Sequence, residues 1–250
     1  MELTPLALPW VCATRFKSLL LHGKTGNFGC PFCFNCSLMN FVDRLICELG
    51  TGLRTVFAKP YADRKLPEFD HNAETEATAP DGAALAESIC LMRVNHCGEV
   101  CAQALYQGQA LVAKDETVRK LLFSAAREEH DHLAWCDARL AELGGRSSGL
   151  RPLFYAGAFG LGVISGLFGD KWSMGFLVET ERQVEAHVHD HLGRISPCDH
   201  RSRAILAAIR NDEIRHGQSG LEHGAVALPA HIKSAMRGFS RIMTTTTYWV

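Results

Sequence analysis

The chain has 250 residues, 47% of them hydrophobic, with 26 basic against 27 acidic side chains and a formal net charge of −1. That suffices for one full core plus an appendage, and the balanced charge, with no basic run, excludes nucleic acid as the partner. Ten cysteines without the spacing of a secreted disulfide scaffold read as free thiols in a reducing compartment.

Residues 1–38 differ from the rest. Cys30-Pro31-Phe32-Cys33-Phe34-Asn35-Cys36 has a spacing that zinc or an iron–sulfur cluster accepts, but no fourth cysteine is well placed. No charged region precedes the apolar part, which makes a poor secretory signal, and Arg15, Lys17 and Lys24 with the single acid Glu2 argue weakly for a transit peptide. The expectation is a mis-assigned or disordered extension, with Met39 as the start of the chain proper. Residues 39–81 read as an amphipathic helix and a polar linker. Phe41, Val42, Leu45, Ile46, Leu49, Leu53 and Val56 recur at helical spacing up to Ala58, interrupted by Gly50 and Gly52. Pro60, Pro67 and Pro80 break any helical period after that, so Glu68-Phe69-Asp70-His71 is set aside as a coincidence in a linker.

From Gly82 to Val250 the pattern is helical. Asp81 is expected to cap the first long helix, Gly144-Gly145 to end the next, and Ser196-Pro197 to open the last helix of the bundle. Between them, Leu153 to Gly169 is uncharged and holds five glycines. A membrane span needs about 20 apolar residues, so this run is expected to be a buried hairpin or a surface dipping into lipid. Near the C-terminus, Ile232, Ala235, Met236, Phe239, Ile242 and Met243 form an apolar stripe flanked by Lys233, Arg237 and Arg241. With Tyr248-Trp249 at the end, that stripe suits a membrane interface or a core equally.

The chemistry lies in four carboxylates on apolar faces. Glu129 and His132 share a stripe with Val118, Leu122, Ala125, Leu133, Cys136 and Leu140, and Glu213 and His216 share one with Leu206, Ile209 and Gly220. Residues three apart on a helix reach the same ion. Glu99 falls among Met92, Ala102, Tyr106 and Ala113, and Glu181 among Met174, Leu177, Val184 and Val188. A buried ionised Glu costs several kcal/mol unless it is paired or bound to metal. Thirty residues separate Glu99 from Glu129, 32 separate Glu181 from Glu213, and 52 lie between the two pairs. That pattern describes two helical hairpins joined by a crossover, the ligand set of a carboxylate-bridged di-iron or di-manganese site in a four-helix bundle. Six such ligands suit two ferrous ions with positions left open for oxygen. The alternative is plain ion pairing with Arg127, Arg182, Arg210 and Arg215. Glu179 and Glu185 crowd Glu181, and His187 and His191 form a pair able to share an ion. His189 and His191 are expected on a solvated face; His187 is a lesser candidate for the surroundings of the site, and Asp212 is either a partner for the ring N–H of a ligand His or a plain surface carboxylate.

Leu91-Met92-Arg93-Val94-Asn95-His96-Cys97-Gly98-Glu99, Glu128-Glu129-x-x-His132, Val178-Glu179-Thr180-Glu181-Arg182-Gln183-Val184 and Asp212-Glu213-Ile214-Arg215-His216 resemble the demethoxyubiquinone hydroxylases of the Coq7 family. The likeness runs from about Phe41 to Val250. It implies an all-α, ferritin-like four-helix bundle with a long crossover over residues 82–250, and additional peripheral or membrane-facing helices. It implies a di-iron monooxygenase that hydroxylates a polyprenylated demethoxyubiquinol with O2 in ubiquinone biosynthesis. Carried over by position, the iron ligands are Glu99, Glu129, His132, Glu181, Glu213 and His216, with Glu129 and Glu213 bridging. The implied setting is a peripheral membrane protein on the cytoplasmic face of a bacterial inner membrane, or the matrix face of a mitochondrial one, with an external electron donor and other proteins of the pathway as partners. No Gly-x-Gly-x-x-Gly follows a strand, so electrons are expected from a separate reductase, the quinol, or a nicotinamide bound without that fingerprint. The rival readings are a ferritin-type ferroxidase, which calls for a large shell, and a non-catalytic scaffold for quinone-pathway enzymes.

Overall fold

Alternating apolar and polar stripes with a period near 3.6 can bury themselves only by packing helix on helix. The computed structural model describes residues 41–68 and 80–250; Cys30, Cys33, Cys36, the boundary at Met39, and His71 lie outside them. The described residues form seven helices: α1 (Phe41–Phe57), α2 (Gly82–Val112), α3 (Glu116–Glu142), α4 (Arg151–Leu167), α5 (Asp170–Arg194), α6 (His200–Glu222) and α7 (Ala230–Trp249). Helices α2, α3, α5 and α6 are the expected bundle, ferritin-like in arrangement. One half of the core gathers Leu105, Tyr106, Leu122, Met174 and Leu177; the other gathers Leu91, Met92, Leu140, Val188, Ile205 and Ile209.

The crossover is neither a hairpin nor a span. It is the single helix α4, laid along α2, and no helix among the described residues is long and apolar enough to cross a membrane. Its glycines explain the fit. A Cβ on Gly162 would stand 2.2 Å from the Leu105 carbonyl oxygen, and one on Gly108 would stand 2.3 Å from that of Phe159. The two backbones therefore touch directly. The far side of α4 leaves Leu153, Ile164 and Leu167 exposed.

Helix α1 runs through Gly50 and Gly52 without a break, and Gly52 makes room for the Tyr155 ring of α4. Its inward face holds Glu48, Gly52, Thr55 and Val56, while Val42, Ile46, Leu49, Leu53 and Phe57 face outward. Helix α7 divides its stripe: Met243 is buried, Met236 and Phe239 are half-buried, and Ile242 and Trp249 are exposed.

Two capping expectations change. Asp81 occupies the N-cap position of α2, but its side chain makes no capping bond. Helix α6 starts at His200, not at Pro197, because Asp199 accepts from the Ser202 N–H at 3.0 Å and is itself held by Arg139 of α3 at 2.7 Å. Gly144, at φ 74°, does close α3: Gly145 N–H reaches back to the Leu140 carbonyl at 2.8 Å. The six cysteines among the described residues are free thiols.

Candidate metal centre

Each bundle helix delivers its carboxylate to the same buried point. Glu99 from α2, Glu129 and His132 from α3, Glu181 from α5, and Glu213 and His216 from α6 are all at most 6% exposed. They form two overlapping groups: Glu99, Glu129, His132 and Glu213, and then Glu129, Glu181, Glu213 and His216, each with one donor atom per residue within 4.8 Å of the others. Glu129 and Glu213 belong to both. Glu129 lies between the imidazoles, with Oε2 at 3.0 Å from His132 Nδ1 and Oε1 at 3.2 Å from His216 Nδ1. His132 Nδ1 also lies 3.7 Å from Glu99 and 3.8 Å from Glu213, and His216 Nδ1 lies 3.5 Å from Glu181.

Four carboxylates at such range repel one another in a medium that solvates charge poorly. Burial pushes the Glu99 carboxyl up to about 8, with the His132 charge pulling it back. Burial and the neighbouring Glu129 and Glu181 raise Glu213 well above the ordinary range. Burial would raise Glu129 too, but imidazolium at His132 and His216 holds it below. His216 rises to about 12 despite its burial, through Glu128, Glu129 and Glu181.

The donor set fits a pair of divalent cations. Glu129 Oε1, Glu181 Oε2, Glu213 Oε2 and His216 Nδ1 are buried without a well-formed hydrogen bond, a cost that cations between them would remove. The arginines that offered an alternative are engaged elsewhere. Arg127 binds Asp63, Arg182 binds Glu179, Arg210 binds Glu185, and Arg215 binds Asp212 and Glu128. Those pairs also account for Glu179 and Glu185, which leaves Glu181 facing the centre.

Asp212 stands behind an imidazole of the cluster, on the other hairpin: His132 Nε2–H donates to its Oδ2 at 2.9 Å. His191 is not solvated. It is 2% exposed, receives the Asn95 amide N–H at Nδ1 at 2.9 Å, and packs on His187 at 3.9 Å between ring centroids. Burial drives His187 down to about 4, and His187 makes no hydrogen bond or ion pair to the six residues. Sequence reading missed two contributors. Tyr106, fully buried, donates to Glu181 Oε1, and it falls seven residues after Glu99, on the same face. Arg64, from the stretch read as linker, reaches Asp131 at 2.9 Å and Asp212 at 2.8 Å.

Beside the centre lies an apolar cavity of about 110 Å³ between α2, α4, α5 and α7. Gly98 and Thr180 in its wall are the chain neighbours of Glu99 and Glu181, and Met236, Phe239 and Met243 close it from α7.

Comparison with known proteins agrees with this geometry. The family described as "Ubiquinone biosynthesis protein COQ7" matches residues 86–247. A protein of Nitrosomonas europaea named 3-demethoxyubiquinol 3-hydroxylase is 51% identical over 214 residues, covering 84% of this chain and 99% of the relative. Proteins of the same name from Chromobacterium violaceum, 51% identical over 84% of this chain and 100% of the relative, and Dechloromonas aromatica, 50% identical over 82% and 98%, are similar. With that match reaching all four bundle helices, the chain belongs to the COQ7 family of ubiquinone biosynthesis proteins.

Proposed function

We propose that the protein is a 3-demethoxyubiquinol 3-hydroxylase that uses two iron ions held by Glu99, Glu129, His132, Glu181, Glu213 and His216. The observation that carries this is the pair of overlapping ligand groups sharing Glu129 and Glu213, in a chain whose relatives bear that name. Glu129 and Glu213, common to both groups, would be the residues to hold both ions, and each oxygen of Glu129 faces a different imidazole. Bound ferrous iron supplies the activation of O2 that organic side chains cannot. The balance is one oxygen atom into a ring C–H bond, the other released as water, with two electrons and two protons from an external donor.

The chain's own groups do the rest. Asp212 accepts the Nε2 proton of His132, which would leave Nδ1 to hold a metal ion. Tyr106 binds Glu181 from the dry side. Leu105, Leu122 and Met174 exclude water, which strengthens every charge interaction within. The apolar cavity suits an aromatic ring, with Thr180, Gln183 and Ser240 as polar contacts. A polyprenyl tail calls for delivery from lipid. The outward faces of α1 and α4, with Ile46, Leu49, Leu53, Phe57, Ile164 and Leu167 exposed, support peripheral attachment to a membrane surface.

The test is a single turnover. Protein loaded anaerobically with ferrous iron is given a demethoxyubiquinol analogue and labelled O2, and one labelled atom is expected in the ring by mass spectrometry. Oxygen consumed into ferric mineral, with the ring untouched, would instead mark a ferroxidase.

A further inference from the structure

The stretch after α1 has no helical period, yet Asp63 and Arg64 tie it into the bundle. Asp63 N–H donates to Asp131 Oδ1 at 2.7 Å. The Arg64 guanidinium then forks, Nε to Asp131 Oδ2 at 2.9 Å and Nη1 to Asp212 Oδ2 at 2.8 Å, with Cζ 4.7 Å above the Trp135 ring. One guanidinium thus joins α3 to α6 and covers an aromatic face. Asp212 Oδ2 is the same atom that accepts from His132 Nε2. Its other oxygen is taken by Arg215 Nη1 at 2.7 Å.

The second imidazole has a different backing. His216 Nε2 faces Glu128 Oε2 at 3.3 Å, and the side chain of Glu128 is 30% exposed against 10% for Asp212. Glu128 is bound by Arg215, which is itself 55% exposed. Arg215 therefore serves both supporting carboxylates, whereas Arg64 serves Asp212 alone.

We infer that Arg64 is a positioning residue that makes the two metal positions unequal, by fixing the carboxylate behind His132 while His216 rests on a looser, half-solvated one. The inference rests on the reading of the six residues as metal ligands. Physically, a carboxylate that holds a ligand imidazole orients the ring and raises its basicity, and loss of such a partner costs about 10–100-fold in metal affinity. A guanidinium bound to two carboxylates and stacked on an indole is preorganised in a way that a lysine ammonium is not.

The experiment titrates the metal-free full chain anaerobically with Co2+, read by its visible absorption and by calorimetry, in the wild type and four variants. The wild type should bind two ions in two resolved steps. Arg64→Met should weaken one step by about three- to tenfold, less than the about 10–100-fold for loss of the carboxylate itself, and leave the other within about twofold. Arg64→Lys, which keeps the charge but cannot bridge both carboxylates, should weaken the same step less. Arg127→Ala cuts the other ion pair of this stretch, Arg127 to Asp63 at 2.7 Å, and should leave both steps unchanged; Glu213→Ala should lose both. Equal wild-type steps, equal weakening of both steps in Arg64→Met, unchanged binding in both Arg64 variants, or an Arg127→Ala that mimics Arg64→Met would each overturn the inference. A wild type that binds no Co2+, or a Glu213→Ala that binds two, would overturn the ligand reading instead.

Discussion

Glu48 sits on the inward face of α1, 8% exposed, and burial pushes its carboxyl up to about 7 from an ordinary 4.5, with Arg54 pulling slightly the other way. Between those values the folded chain keeps a proton that the unfolded chain has released. Stability from this group is therefore full below about 4.5 and falls as pH rises to about 7. At about 1.36 kcal/mol per unit, the loss is at most about 3 kcal/mol. Glu48→Gln keeps the shape and cannot ionise. Urea unfolding of both proteins, with equal metal content, at pH 5 and pH 8 isolates the effect, because every other titrating group cancels in the difference. The variant should match the wild type in acid and exceed it by about 2–3 kcal/mol in base. A gap that stays constant to within about 0.5 kcal/mol would refute the idea that this carboxylate is buried at the expense of its charge.

Four further outcomes can be checked. Glu213→Ala should lose iron and hydroxylation together; an iron-replete, active variant would remove Glu213 from the ligand set. Gly162→Ala pushes a methyl onto the Leu105 carbonyl and should cost about 1–3 kcal/mol by denaturant melt. Asp199→Ala removes one of the two carboxylates that hold the buried Arg139, together with the cap on the Ser202 N–H, and should cost about 2–4 kcal/mol in the same assay. Leu49→Asp with Leu53→Asp, both on the exposed face of α1, should reduce sedimentation with phospholipid vesicles while single-turnover activity on a short-tailed quinol persists.

The four bundle helices were legible because each carries a carboxylate where the apolar period demands a hydrophobe, and a repeat of that anomaly is local information. The same reasoning placed Glu129 and His132 together, since three residues along a helix is a fixed geometry. What escaped it depends on partners distant in the chain. His191 reads as surface among alternating polar residues, yet Asn95 of α2 receives it in the core. The start of α6 at His200 follows from Arg139, 60 residues earlier, holding Asp199. Arg64 lies in an extended stretch with no periodicity, so its reach across α3 and α6 had no signature. Helix α1 shows the converse: its apolar stripe is plain in the sequence, but Glu48, Thr55 and Val56 turn inward while Val42, Ile46, Leu49 and Leu53 face out.

Where Gly108 and Gly162 bring α2 and α4 into backbone contact, no side chain stands between the two helices to change rotamer. That seam behaves as a weld, and it lies on the helix that carries Glu99. The opposite boundary of the cavity is made by the long, jointed side chains of Met236, Phe239 and Met243 on α7. On that side, space inside the cavity is set by side-chain rotamers; on the welded side it is set by backbone.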